Sequence, residues 1–398
     1  MVGPRAELPV FEVPRSLYIH VPVCRSKCAY CDFFSVPRTS LGGEALSPLI
    51  GATLARVAEL ASRFGAGVFD TVYVGGGTPS VLPRELLAAL LEGLAPFAPS
   101  PREWTVEANP ESLDAEFLAL ALGAGVTRLS LGVQSLDPAL LRLLGRPAGA
   151  ETALEALELA AGSGLDVSAD LIAGLPRRGG LSSEVAALLG FGLGHLSVYD
   201  LILEEGTPLE ALARQGGLAL LSEDEGADER EEAETLLASR GFGRYEVSNY
   251  ALPGKESLHN LAYWRMDSYL GAGPGAVSTL AAERGGSSLR IEELASIEGY
   301  TAGSGPRATE TFLAPRDSAI EVLMMGVRTR EGLDLGRFEA RFGFPLPELL
   351  PATLAKWKRR LVPALGRLAL DSRGLDLSNG FLAEALLELE RTLPAIGA

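Results

Sequence analysis

The sequence predicts an α/β fold centred on a parallel β-sheet, and three features of the chain predict it. Between residues 17 and 203, short apolar stretches alternate with amphipathic helical patterns. The hydrophobic content of 47% over 398 residues is enough to fill one large core and a smaller one. From about residue 308 the pattern becomes mostly helical. We therefore expect a sheet domain followed by a smaller, mostly helical C-terminal region.

Six apolar stretches have the length and composition of buried strands. The predicted strands are 17–21, 71–74, 104–107, 128–133, 167–172 and 196–199, and the predicted helices between them include 49–62, 84–94, 115–124, 138–144 and 150–163. This alternation favours right-handed crossovers and a parallel sheet, either open or curled into part of a barrel. Polar groups at the C-terminal ends of such strands lie close together, so we expect the functional site there.

The remaining chain predicts two further units. Residues 222–240 begin with an N-cap serine and an acidic first turn, which predicts a helix whose acidic face is solvated rather than a binding site. Residues 245–250 predict a strand, and 271–275 form a Gly-rich segment. Short turns or strands at 332–334, 368–371 and 375–377 lie among the C-terminal helices and resemble a winged helix. We expect domains at 1–216, 217–305 and 306–398.

The charge balance disfavours a nucleic-acid substrate. Lys and Arg number 35 against 51 Asp and Glu, and the formal net charge is -16. Such a field repels phosphate backbones, and no Lys/Arg stripe offsets it. The first 15 residues lack the apolar core of a secretory signal, and no apolar run is long enough to span a membrane. We expect a cytoplasmic protein without a transmembrane segment.

All three cysteines of the chain lie in one short run directly after the first predicted strand. Cys24, Cys28 and Cys31 have the spacing CxxxCxxC, and an odd number of thiols this close together excludes a disulfide framework. Three thiolates can hold a [4Fe-4S] cluster and leave one iron open, which S-adenosylmethionine (SAM) could chelate. The alternatives are a zinc site, for which no second cysteine pair exists, or three unrelated core thiols.

A Gly-rich turn follows the second predicted strand, in the run YVGGGTPS from Tyr73 to Ser80. Its glycines let backbone groups approach a ligand closely. Together with the cysteine run, this sequence resembles the radical SAM superfamily. The resemblance implies a partial (β/α)6 barrel with SAM as cofactor. It also implies SAM contacts at strand ends and beside the cluster, namely Tyr18, Tyr30, Gly76, Gly77, Thr78, Glu107, Gln134, Arg146 and Asp170. Taken singly, each of the polar residues could be an ordinary capping or salt-bridging residue, and the glycines could form an ordinary Gly-rich turn.

Two further features indicate a branch of this superfamily. Phe33 stands where oxygen-independent coproporphyrinogen III dehydrogenases carry a fourth cysteine. The segment 244–251 and the run HNLAYW from His259 to Trp264 resemble the HemW family of heme chaperones. The resemblance implies that His259, Asn260 and Tyr263 contact heme, with a neutral imidazole as axial ligand. An isolated histidine is otherwise most often structural.

The resemblance gives the predicted units their roles and the chain its expected function. Residues 1–216 would be the radical SAM core, 217–305 an α+β extension with the heme-binding motif, and 306–398 a winged-helix-like domain. We expect a heme chaperone that binds a [4Fe-4S] cluster, SAM and heme, receives electrons from a donor and passes heme to a recipient hemoprotein. Transient contact with a membrane protein is compatible with this role. One departure is Val277, where the family often has histidine.

Two other functions stay open. A coproporphyrinogen III dehydrogenase would use a SAM-derived radical to abstract hydrogen from propionate side chains before decarboxylation, and Phe33 speaks against it. Radical modification of tRNA or protein is disfavoured by the acidic charge and by the lack of an appended basic domain.

Overall fold

The computed structural model describes residues 9–42, 45–303 and 306–392. The predicted boundary at residue 305 and the first eight residues lie outside this part. The strands are β1 (Ser16–Val21), β2 (Val23–Cys24), β3 (Val36–Pro37), β4 (Thr71–Gly76), β5 (Glu103–Ala108), β6 (Arg128–Gln134), β7 (Asp166–Ala173), β8 (His195–Asp200), β9 (Gly243–Arg244), β10 (Asn249–Ala251), β11 (Tyr269–Ala272), β12 (Val277–Ala281), β13 (Ser288–Glu293), β14 (Ala308–Leu313), β15 (Leu333–Asp334), β16 (Leu361–Val362) and β17 (Arg367–Leu370).

The helices flank the strands in alternation, as predicted. They are α1 (Leu46–Arg63), α2 (Arg84–Leu94), α3 (Ala115–Ala124), α4 (Pro138–Leu143), α5 (Ala150–Ala161), α6 (Gly180–Leu189), α7 (Pro208–Arg214), α8 (Glu223–Ser239), α9 (Leu258–Trp264), α10 (Ile297–Thr301), α11 (Pro315–Gly326), α12 (Leu335–Phe342), α13 (Leu346–Leu349), α14 (Pro351–Trp357), α15 (Ser372–Asp376) and α16 (Ser378–Thr392).

Local signals explain where several helices begin. Asp137 caps α4 by accepting a hydrogen bond from Ala139 N at 2.7 Å, and Pro138 occupies the first helical position, where its missing N–H loses nothing. Ser222 and Glu225 form a capping box at the start of α8, which confirms the N-cap predicted for this helix.

The predicted parallel sheet is confirmed and is part of a larger one. Within the described residues, twelve strands form one sheet in the order β14-β13-β12-β11-β1-β4-β5-β6-β7-β8-β10-β9. The six predicted strands are β1 and β4 to β8, and neighbours among them pair in parallel. β11 also pairs with β1 in parallel, and the strands beyond β11 and beyond β8 are antiparallel.

The sheet and its helices share one hydrophobic core. Leu17 and Ile19, which lie on the same face of β1, are fully buried. The same cluster continues into Leu270, Leu289 and Tyr300. Burial of each such side chain stabilises the fold by about 1.5–3 kcal/mol.

The C-terminal region has a second core of its own. Leu323 of α11, Leu346 of α13 and Phe381 of α16 are fully buried in this cluster. Beside it lies a three-stranded sheet in the order β15-β17-β16. This arrangement confirms the expected mostly helical, winged-helix-like region. In the described parts of the chain, no helix combines the length and the apolar character needed to cross a membrane.

Two local predictions were wrong. Of the strand predicted at 245–250, only residues 249–250 lie in a strand, β10, and residues 245–248 connect it to β9. Arg244 Nη2 donates to Val247 O at 2.7 Å, and Ser248 N donates to a Glu246 carboxylate oxygen at 3.1 Å. These side chains take the backbone groups that a ladder would use. The C-terminal stretch 375–377 lies at the end of α15 and just beyond it, and Asp371 caps that helix through Gly374 N.

Candidate functional site

Two cavities lie inside the curved sheet, and they contain the residues predicted for the site. The upper cavity, of about 440 Å³, opens at the C-terminal ends of the parallel strands. The lower cavity, of about 410 Å³, lies deeper among the same strands. The two share the lining residues Phe33, Tyr73, Glu107, Ser130 and Tyr199.

The upper cavity brings together the predicted cluster and SAM residues, with one exception. Its lining includes Cys24, Cys28, Tyr30, Cys31, Gly76, Gly77, Thr78, Glu107, Gln134, Arg146 and Asp170. Tyr18 instead lines the lower cavity, where its hydroxyl lies 2.9 Å from His20 Nδ1.

Backbone hydrogen bonds fix the cysteine loop between the sheet and two helices. Ala29, between Cys28 and Cys31, donates from its N–H to Leu144 O and accepts from Leu209 N, each at 2.9 Å. Gly145 is close to this loop, and a Cβ there would stand 3.2 Å from Ala29 N. Backbone hydrogen bonds and the close approach of Gly145 therefore hold the loop in place.

The three thiols have the donor chemistry of a four-iron cluster site. All three are free and half-buried, and burial raises the pKa of the Cys24 and Cys31 thiols. Among the described residues, no three His, Cys, Asp or Glu side chains are grouped so that they could hold one metal ion. A four-iron cluster instead takes its thiolates on different irons.

Two polar groups point at the cysteine sulfurs. Arg146 Nη1 lies 3.5 Å from Cys28 Sγ, and the Thr78 hydroxyl lies 3.7 Å from Cys24 Sγ. Arg146 is held by its other nitrogen, which donates to Gly132 O at 2.7 Å and to Asn109 Oδ1 at 2.9 Å. The guanidinium is therefore fixed beside the Cys28 sulfur, and the Thr78 hydroxyl lies beside the Cys24 sulfur.

The Gly-rich turn after β4 is shaped around Glu107. The Glu107 carboxylate accepts from Tyr73 OH at 2.6 Å and from Gly76 N at 3.1 Å. A Cβ at Gly75 would come within 2.5 Å of the Glu107 carboxyl carbon, so a larger residue would displace this carboxyl group. Burial raises the pKa of Glu107 to about 7, although the bond from Tyr73 opposes this shift. The carboxyl group can therefore exchange a proton near neutral pH.

The end of β6 is strained where it meets the upper cavity. Gln134 has a φ of 68°, in the left-handed region, and the register between β6 and β7 shifts between Gly132 and Gln134. Such backbone strain is concentrated at binding sites. On the neighbouring strand, Asp170 Oδ1 is buried without a hydrogen-bond partner among the described residues, and burial raises the pKa of this carboxyl group. A ligand hydroxyl or amine could satisfy it.

The lower cavity contains all three histidines of the chain, His20, His195 and His259. Each has one ring nitrogen at 2.9 Å from a tyrosine hydroxyl, with partners Tyr18, Tyr245 and Tyr263 respectively. Burial lowers the pKa of each histidine, and that of His259 to about 3. All three imidazoles are therefore neutral at physiological pH.

The predicted heme motif lies on the wall of this lower cavity. His259, Asn260 and Tyr263 all line it, and His259 is 1% exposed. The Asn260 amide nitrogen lies 3.3 Å from the Tyr245 hydroxyl. Asn260 is thereby linked to the second histidine–tyrosine pair, since Tyr245 also contacts His195.

Glu103 holds the helix that carries this motif. Its buried carboxylate accepts from Ser257 Oγ at 2.9 Å, from Leu258 N at 2.8 Å and from His259 N at 3.0 Å. The carboxylate satisfies N–H groups at the start of α9 and lies at the positive end of the helix dipole. Glu103 of β5 therefore fixes the position of His259 through its hydrogen bonds to the start of α9.

Two sequence departures noted above fall at the cavities. Phe33 is 62% exposed and lines both of them, so the position where the dehydrogenases have a fourth cysteine lies between the two. Val277 lines the lower cavity. A histidine in its place would add a fourth imidazole to that wall.

Sequence reasoning missed the inward polar residues near the start of the strands. Thr105, Arg128, Ser168 and His195 all line the lower cavity, and Ser168 Oγ lies 2.8 Å from His195 Nδ1. A usable signal was present, because each is a polar residue within an apolar strand. Buried polar groups need partners, so such positions indicate an internal polar surface.

Comparisons with known proteins agree with this architecture. The family model of the radical SAM superfamily matches residues 18–179, and that of the HemN C-terminal domain matches residues 313–379. In solved structures, coproporphyrinogen III oxidase (HemN) of Escherichia coli superposes with a TM-score of 0.74 over 94% of this chain and 90% of that one. At 20% identity this likeness shows the fold.

Curated relatives match along most of the chain. The heme chaperone HemW of Lactococcus lactis is 33% identical over 388 residues, which are 95% of this chain and 99% of the relative. The heme chaperone HemW of Mycobacterium tuberculosis is 38% identical over 336 residues, 82% of this chain and 85% of the relative. On this similarity, the chain belongs to the HemW family within the radical SAM superfamily.

Proposed function

We propose that this protein is a heme chaperone that binds a [4Fe-4S] cluster, SAM and heme and passes heme to a recipient hemoprotein. The observation that carries the proposal is the juxtaposition of two cavities. One contains three free thiols, and the other, which shares a wall with it, contains the His259 motif. The relatives named heme chaperones support the heme part of the proposal.

In the upper cavity, Cys24, Cys28 and Cys31 would hold the cluster. When bound, the cluster and SAM supply one-electron chemistry. Glu107, near its ionisation point at neutral pH, would accept hydrogen bonds from the amino group of SAM. Arg146 would position the Cys28 sulfur, which lies 3.5 Å from its guanidinium. This chemistry requires an electron donor.

In the lower cavity, His259 would bind the heme iron. Burial holds its imidazole neutral, which leaves one nitrogen lone pair for a metal. That nitrogen, Nε2, faces the Tyr263 hydroxyl at 2.9 Å. Heme binding through Nε2 therefore requires the phenol to move away.

The proposal includes a cytoplasmic location. Three unpaired cysteines that must stay reduced to hold iron support a reducing compartment. The recipient would be reached by direct contact, whether it is free in solution or at a membrane.

The first experiment is a hemin titration of the anaerobically reconstituted protein, with binding measured by absorbance. We expect His259→Ala to weaken hemin binding at least tenfold and to leave the cluster absorbance unchanged. His195→Ala is the matched control, because His195 is also buried and also paired with a hydroxyl and a tyrosine. Equal losses in both variants would indicate a general cavity defect and contradict the assignment of His259.

Transfer and enzyme activity are measured on the same preparation. The heme-loaded protein is mixed with increasing amounts of an apo-hemoprotein. Direct transfer gives a rate that rises with acceptor concentration, whereas passive release gives a constant rate. Coproporphyrinogen III, SAM and a reductant are added to a second portion. Protoporphyrinogen formation without retained heme would support the dehydrogenase instead.

A further inference from the structure

Arg128 is a buried cation that forms no ion pair with any acid in the described part of the chain. It begins β6, is 5% exposed and lines the lower cavity. Its Nη1 donates to Lys255 O at 3.0 Å, but its Nη2 is buried with no hydrogen-bond partner in the described part of the chain. The neighbouring acid across the strand ladder, Asp166, is instead paired with Lys255. A buried charge without a counter-ion is strongly destabilising, so a partner from outside the chain is expected.

A second polar group without a partner among the described residues lies on the neighbouring strand, at the position paired with Arg128. Thr105 on β5 is the register partner of Arg128, is fully buried and also lines the lower cavity. Its hydroxyl has no hydrogen-bond partner among the described residues. Buried polar groups in native proteins are nearly always satisfied, by water or by a ligand. Two such groups on adjacent strands therefore indicate a place for a polar ligand atom.

The electrostatics of the cavity select an anion. The histidines of the wall are neutral because burial lowers the pKa of His20, His195 and His259. Tyrosines such as Tyr263 are neutral because burial raises their pKa. Glu107, on the wall shared with the upper cavity, has a pKa raised by burial to about 7. Arg128 is the one lysine or arginine among the described residues that line the lower cavity. It acts on the buried Asp170 carboxyl without forming an ion pair with it, and its planar fork matches a carboxylate.

We propose that the lower cavity binds a carboxylate of its ligand through Arg128, with the Thr105 hydroxyl as a second donor. The carboxylate could come from a propionate of a porphyrin or from a small free acid. The porphyrin source rests on the proposed function, whereas the free-acid source does not. With either source, Arg128 binds the carboxylate of the ligand. The proposed bond between His259 and heme iron is a separate interaction.

The test uses mesoporphyrin IX and its dimethyl ester, which differ only in whether the propionates are charged. Neither contains iron, so this measurement stays valid even if iron binding by His259 fails. Porphyrin fluorescence measures binding. We expect the full-length protein to bind the diacid at least tenfold more tightly than the ester. Arg128→Gln should remove this preference, and Arg128→Lys should restore part of it. Arg15→Gln changes the net charge equally at a surface pair with Asp70 and should leave the preference intact.

A free acid gives a different result. In that case the diacid and the ester bind alike, while succinate raises the thermal midpoint of the ligand-free protein but not that of Arg128→Gln. Both patterns support the carboxylate site and identify its source. The proposal is overturned if neither porphyrin preference nor succinate response depends on residue 128. The proposal is also overturned if Arg128→Gln and Arg128→Lys lower the thermal midpoint of the ligand-free protein by the same amount. That result would show that Arg128 stabilises the fold rather than binding a ligand.

Discussion

His259 and Tyr263 lie one helical turn apart on α9, and the imidazole Nε2 stands 2.9 Å from the phenol oxygen. The other ring nitrogen, Nδ1, lies 2.9 Å from Thr71 Oγ1, whose hydroxyl donates to Ser16 Oγ. This network assigns the proton to Nδ1, so Tyr263 donates to the Nε2 lone pair. The nitrogen that could bind iron is therefore already engaged.

Removal of this phenol hydroxyl should strengthen heme binding. Tyr263→Phe leaves Nε2 of His259 free, and a net hydrogen bond of about 1 kcal/mol no longer has to be broken. We expect hemin affinity to rise about fivefold in an absorbance titration. Tyr269→Phe is the control, because Tyr269 lines the same cavity and its hydroxyl contacts Thr279 rather than a histidine. A weaker affinity in Tyr263→Phe would show that the phenol itself holds heme.

Gln134→Gly should raise the stability of the fold and lower the affinity for SAM. The left-handed φ of 68° is unfavourable for glutamine and free for glycine. We expect the free energy of unfolding of the cluster-free protein to rise by about 0.5–1 kcal/mol in urea, while SAM affinity of the reconstituted protein falls. Gln134→Ala removes the amide but keeps the strain, so it should lose affinity without gaining stability. Equal stability of the two variants would rule out strain at this residue.

The carboxyl group of Glu107 should make stability pH-dependent. Burial raises its pKa from 4.5 to about 7, so the folded state holds the proton more tightly than the unfolded state. The contribution of Glu107 to the free energy of unfolding is complete at pH values below its pKa in the unfolded state. It is lost as the pH rises through its pKa in the folded state. Between about pH 5 and pH 7, the free energy of unfolding of the wild type should fall by about 1–2 kcal/mol relative to Glu107→Gln. Urea unfolding at several pH values measures this, and a constant difference would contradict the raised pKa.

Breaking a buried ion-pair network should lower the free energy of unfolding far more than breaking an exposed ion pair. Arg177 is buried between Glu184, at 2.7 Å, and Glu229, at 3.2 Å. Arg177→Met leaves two buried acids unpaired, and we expect a loss of about 3–5 kcal/mol in the free energy of unfolding. Arg63→Met breaks the half-exposed pair with Glu310 and should change it by less than about 1 kcal/mol. Similar losses in both variants would argue against this difference.

The Arg177 network also supports the upper cavity. Glu184 accepts from Ser135 Oγ at 2.6 Å and from Leu136 N at 2.9 Å, directly after Gln134. Nothing in the local sequence pairs residue 184 with this turn. The support is visible only once α6 is packed beside the end of β6.

The strands of the central sheet could be read from the sequence because their signal is local. Leu17, Ile19 and Val72 belong to short apolar runs, and all are fully buried. By contrast, β11 was not predicted, because a Gly-rich stretch carries no strand signal of its own. It forms since Tyr269 to Ala272 pair with Ser16 to Ile19 more than 250 positions earlier in the chain.

The site was predicted unevenly for the same reason. The cysteine run and the Gly-rich turn are contiguous motifs, and both line the upper cavity. Tyr18 was expected beside them but lies in the lower cavity, because the alternation along β1 and the sheet's curvature aim its side chain there. Arg128 and Glu103 carry no motif, and their partners come from distant segments.

The sequence by itself determined which residues form the parallel strands, where the three thiols stand and which family the motifs resemble. These properties follow from side-chain period and from groups that are close in the chain. The tertiary structure decided that the cysteine loop and the His259 motif flank adjoining cavities and that His259 is neutral with its Nε2 facing Tyr263. It also left Arg128 without an ion pair among the described residues. Burial, hydrogen-bond partnership and charge pairing depend on which distant segments pack together, and that is a property of the folded chain alone.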